Sequence, residues 1–206
     1  MKQILLLVIL FAILFACNQG KHKEGNADKS ETSNRQNKTT LQDSVEQISR
    51  KILVALKNKD YAAFAATFHP ADGVRFSPYG FIDPTHKHIL GKDFSEAIAK
   101  NWTLTWGHYD GSGEAIKLKV KPYIEQYIYN ADYLNADQKS FDDFIGKGNT
   151  INNLKESYPN LHFIEYYFKG KDEKNKGLDW TSLKLVFKKQ DNQYYLAAII
   201  HDQWTI

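Results

Sequence analysis

The chain is short of cysteine: among its 206 residues, Cys17 is the only one. An intramolecular disulfide is therefore excluded. The chain also has no Gly-x-Ser-x-Gly motif, no Cys–His nucleophile pair and no dinucleotide-binding fingerprint. The glycine-rich segment 146–150 is not a P-loop, because no Gly-Lys-Ser/Thr follows a first glycine after four spaced residues. No catalytic or nucleotide-binding motif therefore points to an activity.

The region from residue 43 onwards has no excess of either charge. The chain holds 27 basic and 24 acidic residues, of which six basic and three acidic ones precede residue 43, so residues 43–206 contain 21 of each. Nucleic-acid-binding domains usually carry a clear basic excess. The sequence therefore predicts no nucleic-acid partner.

The chain has no apolar run long enough for a membrane-spanning helix. Its longest run, residues 4–16, has 13 residues, whereas a spanning helix needs about 20. A single lysine, Lys2, precedes the run, and a short apolar segment after a positive charge is typical of a secretory signal peptide. We therefore expect residues 1–16 to be a signal peptide.

The apolar run ends in Leu14-Phe15-Ala16-Cys17. This resembles the bacterial lipobox, where signal peptidase II cuts before a lipidated cysteine, although Phe15 departs from the usual small residue. The resemblance implies a lipoprotein whose Cys17 carries lipid such as palmitate. It also implies a bacterial cell-envelope location, anchored to the membrane and either periplasmic or surface-exposed. The alternative is an incidental thiol in an ordinary signal peptide.

Residues 18–42 are polar, without an aromatic side chain, and Leu41 is their first aliphatic residue beyond alanine. Such a segment buries too little apolar surface to form a core. We therefore expect residues 17–42 to be the lipidated cysteine followed by a flexible tether. The chain is 42% hydrophobic and 14% aromatic, which suits one domain with a real core at 43–206.

Helical periodicity first appears after the predicted tether. Apolar residues recur at helical spacing over 43–57, and Asp60 is placed to cap a second helix over 61–68. Asp93 and Glu96 have the spacing of a capping box for a helix ending near Lys100. Further expectations are two short β segments within 73–82, strands at 102–106 and 161–168, and helical segments near 122–128 and 150–157.

The C-terminal part of the chain has the pattern of a β-hairpin. Runs at 180–189 and 193–204 flank a short Asp-Asn turn. The first run alternates, which predicts one wet face bearing Lys184 and Lys188. The second run is apolar on both faces, which predicts a central strand. Helices followed by antiparallel strands indicate an α+β fold, with N-terminal helices packed on a curved, mainly antiparallel sheet.

Two parts of the chain resemble the NTF2-like (SnoaL-like) cone-fold superfamily. The first part begins with a predicted helix, followed by Lys57-Asn58-Lys59-Asp60-Tyr61 and a second helix. It then continues through Phe68-His69-Pro70 into a strand. The other part is the set of strands at 161–204. The resemblance implies a cone-shaped α+β domain, a fold that hosts enzymes, binding proteins and scaffolds alike. Phrases such as Ile200-His201-Asp202-Gln203-Trp204 also resemble a family of secreted bacterial proteins without an assigned activity.

Three residues are candidates for acid–base chemistry: His69, His201 and Asp202. His201 and Asp202 are adjacent on a predicted strand, so their side chains point to opposite faces and adjacency does not pair them. The alternative for each is a hydrogen-bonded structural role.

Polar-tipped rings are unusually frequent and can line a pocket for a sugar or a hydrophobic ligand. Arg75, the only arginine in residues 51–206, can anchor an anionic ligand or form a structural ion pair. The alternative for the rings is that they fill the cone. The ligand-binding candidates are Arg75, Trp102, Trp106, Tyr123 and Trp204.

No metal site or cofactor is predicted. His86 and His88, with Asp83 upstream, have the alternation of a zinc-binding pair, but a zinc site needs a third and usually a fourth ligand, and Pro84 and Gly91 indicate a loop. The acidic, glycine-containing segment 110–114 lacks the spacing of an EF-hand and is expected to be a turn.

Together these patterns predict a lipid-anchored bacterial envelope protein that acts as a non-catalytic module. Its partner is either a small-molecule ligand or another envelope protein. The alternative is a small-molecule enzyme that uses acid–base groups in the cone.

Overall fold

The computed structural model describes residues 26–204, except for the side chains of residues 26–38 and 173. The predicted signal peptide and Cys17 lie outside the described residues. No helix within the described range combines the length and apolar character needed to cross a membrane. Residues from 37 onwards belong to one compact unit.

The first helix, α1, spans Asn26–Lys57, so it begins well before the predicted start at residue 43. The described part of the predicted flexible tether, residues 26–42, therefore lies in this helix. This stretch contains neither proline nor glycine, the residues least compatible with a helix interior, so a helix nucleated in the packed segment can extend back through it. Among residues 39–57, the part of α1 whose side chains are described, the buried apolar side chains of a packed helix include Val45, Ile52, Leu53 and Leu56.

Two short helices, α2 (Tyr61–Ala65) and α3 (Gly91–Ala99), follow. The predicted cap of α2 is confirmed, because Asp60 Oδ1 accepts the Ala63 N–H at 2.9 Å. The predicted capping box of α3 is wrong: its N-cap is Leu90, so Asp93 lies within the first turn. Within the described residues, the remaining α-helices are α4 (Val120–Tyr123), which continues into a π-helix at Ile124–Ile128, and α5 (Leu154–Ser157); two 3-10 turns lie at Tyr133–Asn135 and Glu173–Asn175.

Of the eight strands within residues 26–204, six form one curved, mostly antiparallel sheet in the order β2-β1-β8-β7-β6-β5, while β3 and β4 form a separate pair. Only the β1–β8 pair is parallel. The coarse α+β prediction is therefore confirmed. The strands are β1 (Val74–Ser77), β2 (His88–Ile89), β3 (Thr103–His108), β4 (Ala115–Lys119), β5 (Gln138–Phe141), β6 (His162–Phe168), β7 (Thr181–Gln190) and β8 (Gln193–Gln203).

The predicted hairpin is confirmed as β7 and β8. Asp191 and Asn192 both have positive φ, 49° and 61°, as a two-residue primed turn requires. The prediction that the second run is central is also confirmed, because β8 lies between β1 and β7. The predicted second β segment after Pro78 is wrong. There the Asn153 side chain bonds both the N–H and the carbonyl of Ile82, replacing a ladder partner.

The two faces of this sheet have different covers. The helical face, the side bearing Leu185 and Ile199, packs on α1 to α4 and forms the main core. The loop face, the side bearing Val186 and Ile200, has a smaller apolar cluster. Its cover comes from α5 and the adjoining loops, through Ile82, Phe144, Leu154, Tyr158 and Leu161.

Candidate ligand-binding cleft

The core beneath the helical face is filled by stacked aromatic rings. Trp106 and Tyr123 are fully buried, with ring centroids 3.8 Å apart and planes within 5°. Tyr127 stacks on Tyr123 in turn, at 5.0 Å. Two of the predicted ligand-binding rings are thus used for core packing, where they have no surface to offer a ligand.

The other predicted ligand-binding tryptophans lie at the surface. Trp102 and Trp204 are exposed, and the Lys100 ammonium lies 5.3 Å from the Trp102 ring centroid. The structure therefore does not bring the predicted aromatic set together: two members are sealed in the core and two face solvent.

His201 points into the same ring-filled core with every ring nitrogen bonded. Its Nδ1 lies 3.1 Å from the carbonyl of Pro78, which can only accept, so Nδ1 carries the proton. Its Nε2 therefore accepts from Asn130 Nδ2 and Thr181 Oγ1, each at 3.1 Å. Burial lowers the pKa of His201 to about 4. This geometry is that of a neutral, satisfied core histidine, without an accessible proton or lone pair.

Asp202 lies on the opposite face, as strand alternation requires. Its Oδ2 accepts a hydrogen bond from Lys184 Nζ at 2.7 Å, and Glu165 Oε1 lies 3.4 Å from the same nitrogen. Glu165 also accepts the backbone N–H groups of Ile145 and Gly146. The prediction of a wet face at Lys184 is therefore wrong: the side chain is 1% exposed, held in a buried cluster with two carboxylates.

His69 lies apart from both other acid–base candidates. Its Nδ1 accepts the Asp72 N–H at 3.0 Å, and its Nε2 is buried without a hydrogen-bond partner within the described part of the chain. Burial lowers the pKa of His69. Among the described residues, no hydrogen bond joins it to His201 or Asp202, so the three do not form one acid–base site.

Arg75 lies in a cleft of about 300 Å³ on the loop face. It occupies β1 directly opposite His88 of β2 and beside Ala198 of β8. Its Nη1 donates to the carbonyls of Pro84 at 2.7 Å and His86 at 3.1 Å, which fixes the guanidinium against the loop before β2.

No carboxylate pairs with Arg75 anywhere in residues 39–204, apart from residue 173, whose side chain is not described. The ion-pair interpretation of Arg75 therefore has no partner there. The cleft also holds Lys188 and Asp72, which bond each other. Burial, followed by the Arg75 charge, lowers the pKa of His88, so this ring is neutral near pH 7. Arg75 is thus left as an uncompensated positive charge.

A pair of titratable side chains, Asp142 and His162, lies across the loop at 158–161 from the Arg75 cleft. His162 Nδ1 donates to Asp142 Oδ2 at 2.7 Å, and Asp142 Oδ1 accepts the Phe163 N–H at 2.9 Å. Asp142 has a left-handed backbone, with φ of 56°. The pair lines a cavity of about 300 Å³ that shares Tyr158 and Leu161 with the Arg75 cleft.

Sequence reasoning missed the Asp142–His162 pair, since the two residues are far apart in the chain and form no spaced motif. The register of β5 against β6, in which Phe141 pairs with Ile164, brings them together. The predicted strand at 161–168 was the only available signal. His86 lies in a loop, as expected, but its ring is buried rather than solvated, with its Nδ1 3.0 Å from Ser77 Oγ.

Within the described residues, no group of three or more His, Cys, Asp or Glu side chains is placed to hold a metal ion. No protein-family model matches the chain, and no curated protein matches it. Function is therefore inferred from the geometry of these clefts and of the core.

Proposed function

We propose that the protein is a lipid-anchored lipoprotein of the bacterial cell envelope, and that its domain is an NTF2-like cone that binds a ligand without catalysis. The curved, mainly antiparallel sheet with helices on one face supports the cone. The apolar run at 4–16 followed by Cys17 supports the anchor. The binding site is the Arg75 cleft on the loop face rather than the cone interior.

One observation carries the choice of site. The interior of the helical face is closed by stacked rings, whereas Arg75 presents an unpaired positive charge in an open cleft. A ligand pocket needs open volume and a few placed polar groups, and the cleft has both. An ionised side chain without a counter-charge gains most from a bound partner.

Binding is tested by NMR titration of the full-length chain in neutral detergent micelles against a library of small fragments. We expect saturable amide shifts at residues 73–75, 157–161 and 188. Shifts centred on Trp106 and Tyr123 would instead show that the cone interior opens, and would contradict the proposed site. The absence of any small-molecule binding would favour an envelope-protein partner.

The anchor is tested separately by metabolic labelling of bacterial cells with a palmitate analogue. We expect label on the wild-type chain and none on Cys17→Ser, with the unlabelled variant released from the membrane fraction. Equal labelling of both chains would exclude lipidation at Cys17. The domain itself is not altered by this substitution, so binding in the Arg75 cleft is expected to persist.

A second candidate function is a small-molecule enzyme, and the Asp142–His162 pair favours it. The aspartate fixes Nδ1 as the protonated nitrogen and leaves Nε2 free to act as a general base for a water molecule. The test is hydrolysis of p-nitrophenyl acetate by the full-length chain. A rate above background that His162→Gln abolishes would support the enzyme, whereas equal rates for both proteins would exclude it.

A further inference from the structure

We infer that the Arg75 cleft takes a small organic monoanion, a carboxylate carried on a compact apolar group. This rests on the proposed function, because it names the ligand class of the same site. The inference depends on three features: the hydrogen-bond donors that Arg75 has left, the charge of the cleft, and the chemistry of its walls.

The guanidinium of Arg75 is held in place by one of its nitrogens only. Every hydrogen bond that it gives to a backbone carbonyl comes from Nη1, at distances of 2.7 to 3.4 Å. Of its five N–H donors, those on Nη2 and Nε share one edge of the plane, which matches the two oxygens of a carboxylate. Tyr158 lines the same cleft, and its hydroxyl is near enough to the guanidinium for the Arg75 charge to oppose the rise in the Tyr158 pKa that burial causes. A bound carboxylate is therefore within reach of both a fork of N–H donors and a hydroxyl.

The charge in the cleft favours a single negative charge on the ligand. Arg75 and Lys188 contribute two positive charges and Asp72 one negative charge, while His88 is neutral. Because Lys188 already bonds Asp72, the remaining positive charge resides on Arg75. A monoanion neutralises this charge, whereas a dianion also requires the Lys188–Asp72 pair to separate.

The walls of the cleft determine what carries the carboxylate. Pro159, Leu161 and Ala197 provide apolar surface beside Arg75, and the ring of Tyr158 adds an aromatic wall. A volume of about 300 Å³ lies at the lower end of the range for small-molecule pockets. The geometry thus fits a small acid with an apolar or aromatic body rather than a bare inorganic ion.

The test is NMR titration of the full-length chain in neutral detergent micelles with benzoate, benzyl alcohol and inorganic phosphate. Benzoate is expected to shift the amides around residues 75, 158 and 188 in a saturable way. Benzyl alcohol has the same ring without the charge, and phosphate has the charge without the ring. Both are expected to bind at least about tenfold more weakly than benzoate, since benzyl alcohol has no charge to pair with Arg75 and phosphate has no ring to contact the apolar walls.

Substitutions at Arg75 and at Asp72 are expected to change the affinity for benzoate in opposite directions. Arg75→Gln and Arg75→Lys are expected to weaken benzoate binding by at least about tenfold, because both lose the planar fork of donors. Asp72→Asn removes the only carboxylate in the cleft lining and is expected to strengthen benzoate binding several-fold. Lys57→Gln is the matched control: its exposed lysine also pairs with an aspartate, Asp132, but lies outside the cleft, so no change is expected.

Each outcome separates this inference from the proposed function. If benzyl alcohol or phosphate binds the cleft as tightly as benzoate, the inferred ligand class, a monocarboxylate, is wrong, while the cleft remains a binding site. If none of the three probes nor any library fragment binds there, both proposals fail. If Arg75→Gln proves unfolded by circular dichroism, Arg75→Lys and Asp72→Asn decide, and benzoate binding that neither variant changes overturns the inference.

Discussion

The two faces of the sheet bury polar groups in different ways. On the helical face, His201 is sealed under aromatic rings as a neutral ring with three hydrogen bonds. On the loop face, Lys184 is sealed as a charge between Asp202 and Glu165. The neutral group needs only hydrogen-bond partners, whereas the buried charge needs opposite charges as well. The helical face is thus a closed core, and the loop face combines buried charges with an open cleft.

The largest expected effect is at Lys184. Lys184→Met leaves Glu165 and Asp202 buried without their cation, which should lower the free energy of unfolding by about 3–5 kcal/mol. Lys188→Met on the same strand face is the matched control. Lys188 is 44% exposed, and loss of its pair with Asp72 should cost at most about 1 kcal/mol. Urea titration of both variants measures the difference.

A similar loss of unfolding free energy for both lysine variants would contradict the distinction between the buried charge of Lys184 and the exposed charge of Lys188. A small loss at Lys184 would mean that solvent or a proton compensates the two carboxylates.

The next effect concerns the two isoleucines in the middle of β8. Ile199 and Ile200 are both fully buried, one on each face. Ile199→Ala and Ile200→Ala should each lower the free energy of unfolding by about 2–5 kcal/mol. Ile200 lies in the smaller cluster, where the covering loops can relax. We therefore expect the loss of unfolding free energy for Ile200→Ala to fall at the lower end of this range. A loss near zero for Ile200→Ala would show that the loops leave this face wet.

The third prediction uses the pH dependence of His201. Its pKa is lowered to about 4 by burial, from an ordinary value of 6.5, so the folded protein resists protonation that the unfolded chain accepts. Stability should therefore fall as the pH drops from about 6.5 towards 4, by up to roughly 3 kcal/mol in all, since one pKa unit corresponds to about 1.4 kcal/mol.

The control is His201→Gln, which cannot titrate at this position. The measured quantity is the unfolding free energy of the wild type minus that of the variant, at several pH values. This difference should shrink as the pH falls from 6.5 to 4. A difference that stays constant would show that His201 is not held neutral in the core. It would then contradict the contrast between a neutral buried group on the helical face and a buried charge on the loop face.

The smallest expected effect is removal of the N-terminal segment. A chain that begins at Asn37 should unfold within a few degrees of the full-length chain, because residues from 37 onwards form one compact unit. A chain that begins at Leu53 is the control: it loses the buried Val45 and Ile52 and should be strongly destabilised. A drop of many degrees on removing residues 1–36 would show that the segment contributes to the fold.

Much of the fold was predictable where local chemistry decides it. Asp60 caps α2, the Asp-Asn turn closes the last hairpin, and β8 is central as its two apolar faces indicate. One failure lies where a distant side chain replaces the local rule. Asn153 bonds the backbone of Ile82 in place of a strand, and that partner is not visible in the local pattern of residues 73–82.

The candidate site was predictable only in part. Arg75 was found because a single arginine among many lysines is conspicuous in composition. The Asp142–His162 pair was missed, since only the register of β5 on β6 makes the two residues neighbours. Trp106 and Tyr123 were included as ligand-binding rings because a sequence does not distinguish a ring that lines a pocket from one that fills a core.

The sequence by itself determined the strand alternation, and therefore which side chains share a face of the sheet. Lys184 and Lys188 share the loop face, as their spacing required, and His201 and Asp202 lie on opposite faces. Only the tertiary structure decided what covers each face. A period of two fixes the direction of a side chain, but its solvation depends on chain segments from elsewhere, here the loops that seal Lys184 and leave Arg75 and Lys188 open.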